Sequence, residues 1–278
     1  MKASHKKTGR GIALYAVMIL VAVIMFAPIV WIFSGGFKTL TEFTTSAKII
    51  PEKATFENYI YIFTQSKIGL YIRNTLFLIR RNAAVFLPCC LCACKAGFRG
   101  KNVIFSIIVA TMMIPNIALI IPQYIMFGKI GWLDSLLPMI VPSFFAYPYN
   151  VFLLRQYFRS IPKELDEAAI MDGCSKFQVF SRIIVPISKP TFVTIGILSS
   201  VFWWNELTQP VFYINSDKWR TLTIALMTSY MYTSGNAFVI NWPSIMAASS
   251  LMIIPPMILY LTAGKHLEGG IKTSGLKG

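Results

Sequence analysis

The chain has 278 residues, of which 55% are apolar and 13% charged, with a mean hydropathy of +0.61 and a net charge of +15. Soluble domains carry about 25% charged residues, so this set is too sparse for a soluble surface, which excludes a cytosolic enzyme, a disordered chain and a secreted disulfide scaffold. What remains is an all-α, polytopic membrane bundle: the apolar residues come in long runs, not the alternation of a membrane β-barrel, and the basic residues fill the gaps between runs instead of forming a nucleic-acid face.

A span needs about 20 mostly apolar residues. Residues 1–11 read as a tail, with no small-residue cleavage site after the first apolar run. Six transmembrane helices are expected, at about 12–33, 74–94, 103–127, 136–154, 191–214 and 245–263, within a membrane domain of residues 12–264. A second tail covers 265–278. The tails and the loops after the second and fourth spans hold sixteen Lys and Arg, against eight in the opposite loops. That bias places both termini in the cytoplasm. Trp31, Trp132, Trp219 and Trp242 fall near span ends and read as an interfacial belt.

The second span is weak. It carries Arg80 and Arg81 near its middle, each costing about 2.5–3.5 kcal/mol against about 0.3–0.6 returned per Leu or Phe. Three explanations stand: the arginines face a partner or a polar cavity, neighbouring spans help insertion, or residues 79–96 are translated out of frame. Cys89, Cys90, Cys92 and Cys94 lie in the same stretch. Their C-C-x-C-x-C spacing matches no zinc signature, and they read as reduced thiols.

The loop of residues 155–190 is the most informative. Pro162 suits the first turn of a helix. Glu164, Asp166 and Glu167 follow near its positive end, and Gly173 terminates it. Ser175 with Gln178 forms an S-x-x-Q capping box for a second helix. Phe177, Phe180 and Ile184 fall at i, i+3 and i+7, one expected face of that helix. Pro186 and Pro190 mark the return to the membrane. The pattern predicts a compact cytoplasmic helix–turn–helix with an apolar stripe, suited to a groove on another protein.

Here the sequence resembles a known family. E-A-A-x-x-D-G-C-S (residues 167–175) and F-x-x-I-x-x-P (180–186) look like the EAA loop of binding-protein-dependent ABC importer permeases. Residues 120–142, the stretch WWNELTQPVFY (203–213) and the tail GGIKTSGLKG (269–278) resemble the carbohydrate branch, in particular the six-span permease of maltose-type importers. The likeness runs from about Ile12 onward. It departs at 79–96, where the family has an ordinary apolar span, and mildly at Cys174, where Ala is common.

The resemblance implies a bacterial inner-membrane permease subunit importing a carbohydrate, polyol or sugar phosphate. Glu167, Ala168, Ala169, Asp172, Gly173, Phe177, Phe180 and Pro186 would couple it to an ATPase. It implies a second permease, two ATP-binding subunits carrying ATP and Mg, an extracytoplasmic solute-binding protein and the lipid bilayer as partners. No cofactor, metal or nucleic acid is expected on this chain. It holds no G-x-x-x-x-G-K-[ST] loop and no catalytic constellation. Polar and aromatic candidates for the solute path are Asn116, Gln123, Trp203, Trp204, Asn205 and Glu206, with Phe202 and Asn150 beside them; Asn116 and Asn150 read first as interhelical glue. The competing class is a self-contained secondary transporter or channel, for which an inverted repeat and paired intramembrane charges are expected; neither is visible.

Overall fold

A computed structural model of the chain describes residues 2–275 apart from 65–66, 96–99, 146, 163, 229–230 and 235–236; for 2–13, 83–95, 145, 228, 231–234, 237–239 and 265–275 only the backbone is described. The four-cysteine cluster thus has no described side chains, and Ala96 lies outside the described residues. Helices dominate, as the composition requires. The sequence assigns no strand, whereas a short antiparallel hairpin joins β1 (Met231–Ser234) to β2 (Ala237–Ile240), with Met231 opposite Ile240.

Among the described residues, three helical stretches are long and apolar enough to cross a bilayer: Leu14–Gly36, Leu137–Ser160 and Trp242–Gly264. Two bent pairs raise this to five if each is one span. The run expected as a single span at 103–127 is α5 (Lys101–Thr111) and α6 (Asn116–Lys129), bent by 98°. Pro115 is the cause: it is extended (φ −60°, ψ 127°) and disfavours helix at the residue before it. The second bent pair is Lys176–Ile187 with α12 (Lys189–Asn205), at 64°; the run expected at 191–214 is itself broken, since α12 stops at Glu206 (ψ 120°) and α13 (Thr208–Tyr213) begins a new helix. The weak segment lies inside α4 (Ile68–Lys95), one continuous helix of 28 residues.

The chain forms two compact units. The first holds Met1–Ile68 and Leu226–Pro255. Its α1 (Lys2–Gly36) is apolar, and of its described side chains Leu14, Ile19 and Met25 are more than half exposed. Its C-terminal end is seated. There the side-chain amide of Asn58, on α3 (Glu57–Thr64), donates to the carbonyls of Gly36 and Lys38 at 2.9 and 2.8 Å. Tyr59 shares a 3.0 Å hydrogen bond with Ser250 on α15 (Trp242–Gly275). Lys38 is buried, yet its ammonium lies 5.1 Å from the Trp31 ring centre and donates to the Lys48 carbonyl. Gly36 is required by close approach: a Cβ would fall 3.0 Å from the Ala247 Cα and 2.7 Å from the Tyr59 hydroxyl.

The second unit holds Gly69–Ala225 and Pro256–Gly278. The inner face of α4 runs Tyr71, Asn74, Thr75, Leu78, Asn82, at helical spacing. Asn74 donates to the carbonyls of Lys218 and Arg220, and Thr75 Oγ1 accepts from the Leu222 N–H at 3.0 Å. Arg80 and Arg81 are on the exposed side, Arg81 lying 5.3 Å from the Phe77 ring centre. One apolar core joins Leu78, Phe127, Met139, Trp203, Tyr213 and Ile224. Another joins Val151 and Leu154 of α8 (Pro148–Ser160) to Phe192 and Ile195 of α12.

Asp134 locks two connections together. It adopts φ 55°, its N–H donates to the Tyr213 carbonyl at 2.7 Å, and its carboxylate accepts from the N–H groups of Ser216 (2.7 Å) and Asn215 (3.0 Å). The Ser216 N–H, with Asn215 as a further donor, holds this carboxyl below the usual range against the opposing effect of burial.

Two predictions follow from these contacts. Gly36→Ala should destabilise by about 1–3 kcal/mol through overpacking, read as a lower thermal midpoint in detergent; Gly69→Ala, where a Cβ meets nothing within 4 Å, should not. A carboxyl depressed in the folded state stabilises fully above its unfolded pKa of about 3.9 and loses that stabilisation as pH falls through its lower folded value. The thermal midpoint of wild type should therefore exceed that of Asp134→Asn above about pH 4, and the gap should close on further acidification.

Candidate functional site

The helix–turn–helix of the loop forms as its local chemistry demands. α9 (Glu164–Met171) opens with Glu164, Asp166 and Glu167 in its first turn, where the helix dipole favours anions. It closes in a Schellman motif: Cys174 N–H donates to the Ala169 carbonyl and Gly173 N–H to the Ile170 carbonyl, both at 3.0 Å. Gly173 has φ +84°, a left-handed conformation that costs an L-residue about 1–2 kcal/mol. The capping box is present. Gln178 N–H donates to Ser175 Oγ at 3.3 Å, and Ser175 N–H donates to Gln178 Oε1 at 2.8 Å. The second arm then runs as α10 (Lys176–Gln178), a π-helical stretch (Val179–Ile184) and α11 (Val185–Ile187).

The apolar stripe is split by that π-helical stretch. Phe177 is 76% exposed, Phe180 is half-buried and Ile184 is fully buried. Wider winding breaks the 3.6-residue period on which a common face depends. Ala169, expected at the docking surface, is buried against Val179 and Ile184; its small side chain seats the two arms on each other. Glu167, Ala168, Asp172, Gly173 and Pro186 are exposed. So are Ile170 and Met171, the latter 87% exposed. The sequence reading passed over this apolar pair, although two large apolar residues just before a terminating glycine are a signal in themselves. The loop core continues into the bundle through Phe158, which packs against both Ala169's cluster and that of Leu154. Tyr157 reinforces the joint by donating to the Ile187 carbonyl at 2.9 Å.

A cavity of about 460 Å³ lies in the second unit, at the α5–α6 bend. That is within the usual range for small-molecule sites, about 300–1,000 Å³. Two of the expected solute-path residues, Asn116 and Trp203, line it, as do Phe202 and Asn150. The other four are occupied elsewhere. Trp204 is buried. Gln123 accepts from the Tyr213 hydroxyl at 2.9 Å. Asn205 is exposed and donates to the Val201 carbonyl at 2.8 Å. Glu206 accepts from the Gln209 N–H at 2.9 Å and holds Thr223 through its own carbonyl, so it braces the α12–α13 break. Asn82 and Tyr147 line the cavity without having been singled out by the sequence. Asn82 sits one residue beyond the arginine pair, whose charge drew attention away from it.

The family described as "Binding-protein-dependent transport system inner membrane component" matches residues 89–273. This chain belongs to that family. The match begins inside the anomalous stretch. Among curated relatives of the permease, the diacetylchitobiose uptake system permease protein NgcG of Streptomyces coelicolor is 27% identical over 263 residues, covering 92% of this chain and 86% of that protein. The arabinooligosaccharides transport system permease protein AraQ of Bacillus subtilis is 29% identical over 285 residues, covering 96% of each. A bacterial ABC transporter involved in the import of the acidic polysaccharide alginate shares the fold, with a TM-score of 0.78 at 24% identity over 92% of this chain and 95% of that one.

Gly173→Ala should loosen the corner. Hydrogen exchange of the amides in residues 164–187 should accelerate about 5- to 30-fold, the equivalent of about 1–2 kcal/mol, while exchange in α12 stays unchanged.

Proposed function

We propose that this permease is one of two membrane subunits of an ATP-binding-cassette importer for a carbohydrate. The sugar names of its relatives support the solute class. In this reading both termini lie in the cytoplasm and six segments cross the membrane, α4 being the second. An extracytoplasmic binding protein delivers the solute. Two ATP-binding subunits hold ATP and Mg, and a second permease completes the pathway.

The observation that carries the reading is the bent element around Gly173. Its tip exposes Glu167, Ala168, Ile170, Met171 and Phe177, while its base is buried against the bundle. A tip of this kind suits a cleft: apolar knobs supply contact area and Glu167 supplies a charge for a basic or amide partner. Closure of the ATPase dimer would push on the tip. The shared packing of Phe158 would carry that push into α8 and α12. A short loop without its own core would bend instead of transmitting force.

Purification through a tag on this chain should bring down an ATP-binding subunit, whereas a secondary transporter would work alone. Glu167→Lys, and separately Met171→Ser with Phe177→Ser, should leave the amount of chain in the membrane unchanged. Both changes fall on exposed positions, where substitutions usually shift stability by less than about 0.5 kcal/mol. ATP hydrolysis stimulated by the liganded binding protein should fall at least about 10-fold, equivalent to about 1.4 kcal/mol of coupling. Full uptake and stimulation in both variants would remove the coupling role.

A further inference from the structure

We propose that the cavity at the α5–α6 bend is a solute station that accepts a neutral, polyhydroxylated ligand and rejects anions, with Asn82 Oδ1 as its recognising acceptor. The inference rests on the carbohydrate reading above and narrows it.

Asn82 is 4% exposed and lines the cavity. Its amide nitrogen donates back to the Leu78 carbonyl at 2.9 Å, which fixes the side-chain orientation. Its Oδ1 is then buried with no hydrogen-bond partner. Buried acceptors are normally satisfied, and an exception calls for a missing partner. That partner must bring a donor. Across the cavity, Asn150 is also buried and its amide donates to Ser199 Oγ at 3.3 Å. Asn116 and Tyr147, both with polar groups, are among the lining residues.

Among the described residues, no Asp, Glu, Lys or Arg lines the cavity. A carboxylate or phosphate offers only acceptors, so it would face Asn82 Oδ1 acceptor to acceptor and find no cation. A hydroxyl both donates and accepts, so a polyol can donate to Asn82 and accept from the amides and the tyrosine. Tyr147, Phe202 and Trp203 form a connected aromatic wall, with ring centres 5.7 and 5.4 Å apart. The rings are tilted by 50° and 85° to one another, so a single ring would meet the apolar C–H face of a sugar. The alginate importer shares the fold, but an acidic chain does not match this lining.

The test uses the complete importer with its binding protein in proteoliposomes. Radiolabelled trehalose, raffinose and arabinotriose serve as neutral probes; an alginate trisaccharide and glycerol 3-phosphate serve as anionic ones. Wild type should take up at least one neutral probe and neither anion. Asn82→Leu should cut that uptake at least tenfold with the thermal midpoint held. Asn82→Asp should restore most of it, because a protonated carboxyl can donate to the Leu78 carbonyl and still present an acceptor. If Asn82→Leu fails to assemble, Asn82→Ala carries the same expectation. Undiminished uptake in Asn82→Leu or Asn82→Ala would overturn the station and leave water as the occupant, without touching the carbohydrate reading. Uptake of an anionic probe, alone or beside a neutral one, would overturn the neutral selectivity. Uptake of no probe at all would overturn the carbohydrate reading, and the station with it.

Discussion

Backbone polar groups within a bilayer must be satisfied by the protein itself, because hydrocarbon offers no hydrogen bonds. That constraint organises the second unit. Helices can run straight with no further provision, but each interruption needs partners. At the α12–α13 break, the Glu206 carboxylate takes the Gln209 N–H and its carbonyl takes the Thr223 hydroxyl. Where α4 meets the turn before α14 (Leu222–Thr228), Asn74 and Thr75 take up the carbonyls of Lys218 and Arg220 and the N–H of Leu222. At the α5–α6 bend the freed backbone borders a cavity. Irregular backbone at membrane depth is tolerated where it lines a cavity or is buried in protein. The permease bundle is thus shaped by where its asparagines, threonines and carboxylates sit, as much as by its apolar runs.

The loop of residues 155–190 obeys the opposite economy. It exposes charged residues and a few apolar ones, and is held by a core of small extent: Ala169, Val179 and Ile184, with Phe158, Ile161, Cys174, Phe180 and Ile183 around them. Its rigidity comes from its ends. A Schellman turn and a reciprocal capping box lie back to back across residues 169–178, leaving little backbone freedom at the corner. Phe158 belongs to this core and to that of the bundle. The two therefore share a side chain, and a displacement of one cannot be absorbed in a compliant joint between them.

Local chemistry was well legible in the sequence. The glycine terminator, the S-x-x-Q box and the acidic first turn of α9 all fall where the residues put them, because each depends on neighbours within about four positions. Faces were less legible. Phe177 and Ile184 share a stripe only if the winding is uniform, and the π-helical stretch at Val179–Ile184 removes that condition. Breaks in apolar runs were missed because hydropathy is blind to direction: Pro115 and Glu206 sit inside runs that pass as single spans. The cavity was half legible. Trp203 and Asn116 stand out by type, whereas the importance of Asn82 depends on its orphan acceptor, and that is a property of packing alone.

Arg80 and Arg81 stand at the midpoint of α4 and point away from their own bundle. Alone in lipid, each guanidinium would oppose insertion by about 2.5–3.5 kcal/mol. If α4 crosses the membrane, that flank calls for a polar surface laid against it, from a neighbouring subunit or a water-filled space.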